Sequence, residues 1–241
     1  MRRHPRRGGG EEGRERAGGA GGAVSSPHPG GGYRGARVGR SIGIGLMRSL
    51  YRPRVLGAWR LPAQGPAILA VNHSHFVDGP LLLGTAPRPV HFLIKKEAFV
   101  GPLGSFLRGI GQLSVDRSGA DRTAVSSALR ILADGQVLGI FPEGTRGDGD
   151  FSSLRSGLAY FAVRSGAPVV PVAVLGTAGR SSRLAPAVPP LRSRVDIVFG
   201  DPFDAGDGST RRTRTALDEA TVRIQRRLTE HLADALTKTG R

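Results

Sequence analysis

The residue types best suited to chemistry in this chain stand close together in Ala70–Pro80, AVNHSHFVDGP, where an apolar run ends on Asn72, His73, Ser74 and His75, with Asp78 following. A histidine five positions before an aspartate can form a general base with its orienting carboxylate. The same residues also suit a capped helix start around a structural histidine, because Asn72 and Ser74 are good capping types. His73 and His75, at i and i+2, raise metal binding as a third reading. A catalytic zinc takes about three protein ligands, and the remaining histidines, His4, His28, His91 and His231, stand in no ligand spacing. No metal is therefore expected. His75 is expected to pack or hydrogen-bond beside the turn.

Two other places end an apolar run on polar residues. Leu113–Val115 leads into Asp116 and Arg117, and Val137–Phe141 leads into Pro142, Glu143, Gly144, Thr145 and Arg146. Gly144 lets the backbone approach a ligand closely. Arg117 and Arg146 offer the planar, paired donors that suit a phosphate. Lys95 and Lys96 stand at another such end, where a solvated strand end accounts for them equally well.

These residues need a scaffold. AILAVNH, VHFLIK, QLSVDR, QVLGIFPEG, PVVPVAVLG and VDIVFG read as strands: short apolar runs, often β-branched, closed by glycine, proline or charge. A helix is expected over 120–134, with Val125, Ala128, Leu129 and Leu132 on one face, Ser118 and Asp121 as a capping box and Gly135 as its stop. A second is expected over 153–165, ending at Gly166, and a closing amphipathic helix over 210–237. Strands this continuously apolar must be covered on both faces, which predicts a single mixed-sheet α/β domain over 55–241 with helices on both sides. Function in such folds collects where strands end. Pro171, inside an apolar strand, implies an edge position or a bulge.

The 241 residues carry a formal net charge of +16 and no cysteine. Disulfides and thiolate chemistry are excluded, and the charge implies an anionic partner: nucleic acid, an acidic membrane surface or a phosphorylated substrate. Residues 1–34 are Gly- and Arg-rich with hardly any large apolar side chain, and read as a disordered basic tail. Residues 35–54 read as an amphipathic membrane-surface helix: Val38, Ile42, Leu46 and Leu50 drift only about 40° per step of four, with Arg37, Arg40, Arg48 and Arg52 opposite. Packing of that stripe into the core is the competing reading, and Gly39, Gly43 and Gly45 weaken the helix. No apolar run approaches the roughly 18 residues of a membrane span, and no apolar stretch follows MRRHPRRGGG as in a signal peptide. The expected location is the cytoplasmic side of a membrane, peripherally.

Taken together, the polar strand ends resemble the glycerolipid acyltransferase family, the 1-acyl-sn-glycerol-3-phosphate acyltransferase group in particular. Asn72, His73 and Asp78 match its N-H-x4-D motif. GQLSVDR, ending in Arg117, matches the second, preceded by Lys96, Glu97, Pro102 and Gly104. Phe141–Arg146 is an intact F-P-E-G-T-R, and Val170, Pro171 and Val172 match the fourth. Gly147 stands where family members commonly have serine. The resemblance implies acyl transfer from a thioester, on coenzyme A or acyl carrier protein, to the free hydroxyl of lysophosphatidate or a related lysophospholipid, with no other cofactor. It makes His73 the base and Asp78 its orienter, sets Glu143 and Thr145 at the glycerol with Gly144 opening the backbone to the substrate, and sets Arg117 and Arg146 at the phosphate. Glycerol 3-phosphate or another lysolipid is the alternative acceptor.

Two other function classes fit less well. A nucleic-acid-binding module would exploit the charge, but aromatic residues are only 5% of the chain and Trp59 is the sole tryptophan, so stacking platforms are few. No specific nucleic acid is expected as a partner. A serine hydrolase would need a G-x-S-x-G elbow, which the sequence lacks.

Overall fold

The computed structural model describes residues 29–119, 121–144, 149–177, 189–206 and 213–241. Strands β1 (Arg52–Leu56), β2 (Ala67–Val71), β3 (Val90–Lys95), β4 (Leu113–Val115), β5 (Val137–Ile140), β6 (Val169–Leu175) and β7 (Arg194–Phe199) form one sheet in the order β1-β7-β6-β2-β5-β3-β4. The five strands from β6 to β4 are mutually parallel, whereas β7 pairs antiparallel with β6 and parallel with β1. The C-terminal ends of β2 to β6 therefore open on one side of the sheet, and β1 and β7 begin on that side.

Helices α1 (Pro29–Leu50), α2 (Asp78–Thr85), α3 (Gly101–Gly109), α4 (Arg122–Ala133), α5 (Gly157–Ser165) and α6 (Arg214–Thr239) join the strands. The apolar strands bury alternate residues on opposite faces. Ile68, Ala70, Leu138, Ala173 and Val198 pack with α4, α5 and α6. Leu69, Val71, Val137, Val172 and Ile197 pack with Met47 of α1 and with Leu81 and Leu82 of α2. This is the mixed α/β sheet covered on both faces that the apolar runs require.

Local details depart from the expectations in ways with physical causes. β1 was not anticipated, because Arg52, Pro53 and Arg54 hide its extended character. Helix α4 is capped by Asp121 alone, whose side chain accepts from the Ala124 amide. Ser118 instead binds Asp116 through its hydroxyl and its amide. Pro171 lies on an interior strand, not an edge. There the β6–β7 ladder steps by one residue between Val172–Phe199 and the bridge Val169–Phe203, a bulge beside the residue that cannot donate. Gly200 faces the proline, where a Cβ would lie 2.7 Å from Pro171 Cγ.

Helix α1 begins inside the expected tail: Tyr33 donates its hydroxyl proton to Asp134, while residues 1–28 lie outside the described ones. Its packing face is not the apolar stripe. Ala36, Gly39 and Met47 are buried, Gly39 lies against Ile110, and a Cβ on Gly43 would come 3.1 Å from the Gly84 amide of α2. The glycines thus let α1 approach α2 closely. Val38, Ile42 and Leu46 stay 57, 47 and 51% exposed, so that part of the stripe is not core. Arg40 also leaves the polar face, donating from Nε to Ala86 O at 2.7 Å.

Beside β7 a single carboxylate gathers three arginines. Asp196 is fully buried and accepts from Arg54 Nε at 2.6 Å, Arg194 Nε at 3.1 Å and Arg241 Nε at 2.9 Å. Burial pushes the Asp196 carboxyl up, but the bonds from Arg241, Arg194 and Arg54 outweigh it and hold it below the ordinary aspartate range. A lowered carboxyl contributes stability that is complete above the unfolded value, near 4, and is lost as pH falls through the folded one. Asp196→Ala should lower unfolding free energy by about 2 kcal/mol, less than the roughly 3–5 kcal/mol of a wholly buried pair because the arginines reach solvent. Denaturant unfolding at neutral pH measures this, and the loss should shrink below about pH 4.

Candidate active site

The turn after β2 is built around Asp78, the first residue of α2. Its Oδ2 accepts from the amides of Ser74 at 2.9 Å and His75 at 2.7 Å and from His73 Nδ1 at 3.1 Å. The bond to Nδ1 fixes the ring's tautomer and leaves Nε2 for chemistry. Asp78 is fully buried, and its Oδ1 has no hydrogen-bond partner among the described residues. Such a carboxylate pulls strongly on any positive charge that forms on the imidazole.

Asn72 fixes the strand end that carries this turn. Its Oδ1 accepts from the Val174 amide at 2.7 Å and its Nδ2 donates to the Val174 carbonyl at 3.1 Å. A side chain thereby prolongs the β2–β6 ladder. His75 Nδ1 accepts from the Val77 amide at 3.5 Å and its ring packs on Phe76. Among the described residues no group of three or more His, Asp or Glu is placed to hold a metal.

His73 opens into a cleft of about 510 Å³ whose walls include Phe76, Leu83, Phe92, Ile94 and Leu107, with Lys95 and Arg117 as its cations. An apolar cleft with a few convergent polar groups is the usual form of a small-ligand site. Arg117 donates from Nη1 to the Gly144 carbonyl at 2.6 Å, so it ties the second and third motif segments together. Lys96 turns away and pairs with Asp116 at 2.5 Å, whereas Lys95 stays in the cleft. Thr145 and Arg146 lie outside the described residues. A smaller cleft of about 200 Å³ at the other end of the sheet pairs its own charges, Arg60 with Asp201 and Lys238 with Asp234.

Glu143 has a place that spacing did not reveal. Burial pushes its carboxyl up, and the backbone amides of His73 and Phe151 pull it partly back. The carboxyl thus lies beside the backbone of the histidine turn, with its Oε1 buried and without a hydrogen-bond partner among the described residues. Phe151 is fully buried with φ 59, a left-handed conformation that costs a non-glycine residue energy. Gln225 donates to its carbonyl at 3.0 Å. Where the chain returns at Gly149, a Cβ would lie 2.5 Å from Ser74 Oγ and 3.2 Å from Asn72 Nδ2. Gly144 has φ 74, and a Cβ there would collide with Arg155, a cation not singled out from the sequence. Only the register and the loop path bring these residues together. The aromatic neighbours of His73 were also missed: Phe141 stacks on its ring at 4.1 Å between centroids, and Phe92 stacks on Phe141 at 5.3 Å.

Comparison with known proteins agrees with this arrangement. A family model described as Acyltransferase matches residues 52–175, which include every strand end that lines the cleft. A 1-acyl-sn-glycerol-3-phosphate acyltransferase of Bacillus subtilis is 28% identical over 179 residues, 73% of this chain and 86% of that protein. One from Chlamydomonas reinhardtii is 30% identical over 148 residues, but the match covers only 44% of its length. The crystal structure of the 1-acyl-sn-glycerophosphate acyltransferase PlsC from Thermotoga maritima shares the fold, with TM-score 0.60 and 24% identity over 82% of this chain and 79% of that one.

Asn72→Ala should strip partners from two buried backbone groups of Val174 and destabilise the fold by about 3 kcal/mol. Urea unfolding monitored by circular dichroism measures the loss.

Proposed function

The chain belongs to the acyltransferase family, and from that premise we propose that it moves a fatty acyl group from a thioester to the free hydroxyl of lysophosphatidate or a related lysophospholipid. The observation that carries this reading is the His73–Asp78 pair at the wall of an apolar cleft that also holds Arg117. The acceptor hydroxyl attacks the thioester carbonyl as His73 Nε2 takes its proton, and Asp78 stabilises the imidazolium that forms. The tetrahedral intermediate then expels the thiolate, which recovers the proton from the imidazolium. A thioester is already activated, so no covalent enzyme intermediate and no cofactor beyond coenzyme A or acyl carrier protein is needed.

The apolar wall suits an acyl chain, and Arg117, with Arg146 of the same motif set, suits the acceptor's phosphate. The names of the Bacillus and Chlamydomonas relatives support lysophosphatidate as acceptor. Purified protein given radiolabelled acyl-CoA and a panel of lysophospholipids and glycerol 3-phosphate should acylate lysophosphatidate fastest. His73→Ala should lower kcat by about 10²–10⁴-fold while the protein stays folded. Near-normal turnover by folded His73→Ala protein would overturn the mechanism.

Such an acceptor resides in a bilayer, whereas no helix among the described residues is long and apolar enough to cross one. The exposed face of α1, Val38, Ile42 and Leu46, supports peripheral attachment at an anionic cytoplasmic leaflet. Replacing all three by glutamate should abolish cosedimentation with phosphatidylglycerol vesicles yet leave the melting temperature within a few degrees, because these side chains lie outside the core.

A further inference from the structure

His73 is held at one edge by its bond to Asp78, but a single hydrogen bond leaves the ring free to swing about that contact. Its face is held by something else. The Phe141 ring lies 4.1 Å away, centroid to centroid, with 27° between the planes. Phe92 lies behind it at 5.3 Å and 14°. His73 and Phe141 follow the ends of β2 and β5, Phe92 lies within the adjacent β3, and the three rings form a row across the sheet. The innermost member is seated by an absence: Phe92 pairs in register with Gly139, and a Cβ on Gly139 would collide with the Phe92 ring. Phe92 itself is only 2% exposed and has little room to move.

We propose that Phe141 is a positioning residue for acyl transfer, fixing the plane of the His73 ring and facing the imidazolium with its π-cloud, and that Phe92 over Gly139 holds Phe141 in place. The inference rests on the acyl-transfer reading. An aromatic face attracts a cation, and the imidazole becomes one only while it holds the acceptor's proton. The contact therefore strengthens toward the transition state, and its loss lowers kcat more than it raises KM.

Phe141→Leu keeps apolar bulk in the cleft wall and removes the π-face. We expect kcat to fall about tenfold, with KM for donor and acceptor within about twofold, and Phe141→Tyr to restore most of the rate. Phe92→Leu should show a smaller loss of kcat in the same direction, which keeps the test open if Phe141→Leu does not fold. Unchanged kcat in both leucine variants, or a tyrosine variant as slow as the leucine one, overturns the proposal. A readout without turnover separates this inference from the reaction assignment. In protein with isotope-labelled histidine, the His73 ring protons, identified by their loss in His73→Ala, should carry an upfield ring-current shift that Phe141→Leu removes and Phe141→Tyr retains. If the wild-type protein shows that shift but transfers no acyl group, the reaction assignment fails and the stacking stands; if the shift is absent, the stacking fails.

Discussion

Asp78 is out of reach of water, and a buried carboxylate is tolerable only where donors converge on it. Here they come from three consecutive residues, the amides of Ser74 and His75 and the ring of His73. That requirement shapes the segment after β2: the chain must curl so that these groups point inward, and the curl aims the His73 ring at the cleft. The position of Asp78 at the start of α2 adds the favourable end of the helix dipole. Other contacts hold the same turn from outside. Asn72 zips its entry to β6, Glu143 lies buried beside the His73 backbone, and Gly149 lets a returning loop lie on Ser74. One buried carboxylate thus organises the geometry that three separate segments complete.

Helix α1 shows how a small packing face can leave a large one unused. Because Gly39 and Gly43 bring its backbone against Ile110 and α2, Ala36 and Met47 suffice to bury that side. The larger apolar residues Val38, Ile42 and Leu46 are left facing outward. It is this exposed row that the proposed attachment to a membrane surface would use. The arginines are divided in the same economical way. Arg40 serves the end of α2 and Arg54 serves Asp196, so the net charge of the chain overstates the cations free to meet an anionic surface.

Six of the seven strands were legible because a sheet covered on both faces needs uninterrupted apolar runs, and those runs end where the backbone leaves the core. The helices with long amphipathic repeats, α4 and α6, were legible for the same reason. The eight-residue α2 was not, because it is too short and too apolar to show a period, and Arg52-Pro53-Arg54 conceals β1. Within the site, His73, Asp78 and Arg117 were readable from motif spacing. The placing of Glu143 beside His73, the Arg117 bond to Gly144 and the stack through Phe141 to Phe92 were not, because each depends on which strands lie side by side. Glu143 is the instructive case: the motif marked it as important, but only the fold shows that it faces the backbone of the turn. Pro171 was half legible, since a proline in a buried run requires a break in the ladder, and the break proved to be an interior bulge.

The two outermost strands, β1 and β4, leave the sheet with open edges, and an open edge is a template on which a second copy of a chain can pair. In β1 the Arg52 amide bonds inward to Ser193, so by alternation it is Pro53 that faces out, at the position where a neighbouring strand would seek a donor. Arg52 flanks it with charge. At the far side β4 is three residues long and ends in Asp116 and Arg117, too short for a stable ladder. Each margin is thus closed to strand addition, one by proline and charge and the other by brevity. Molecules crowded side by side on a surface can touch there without their sheets running together into an aggregate.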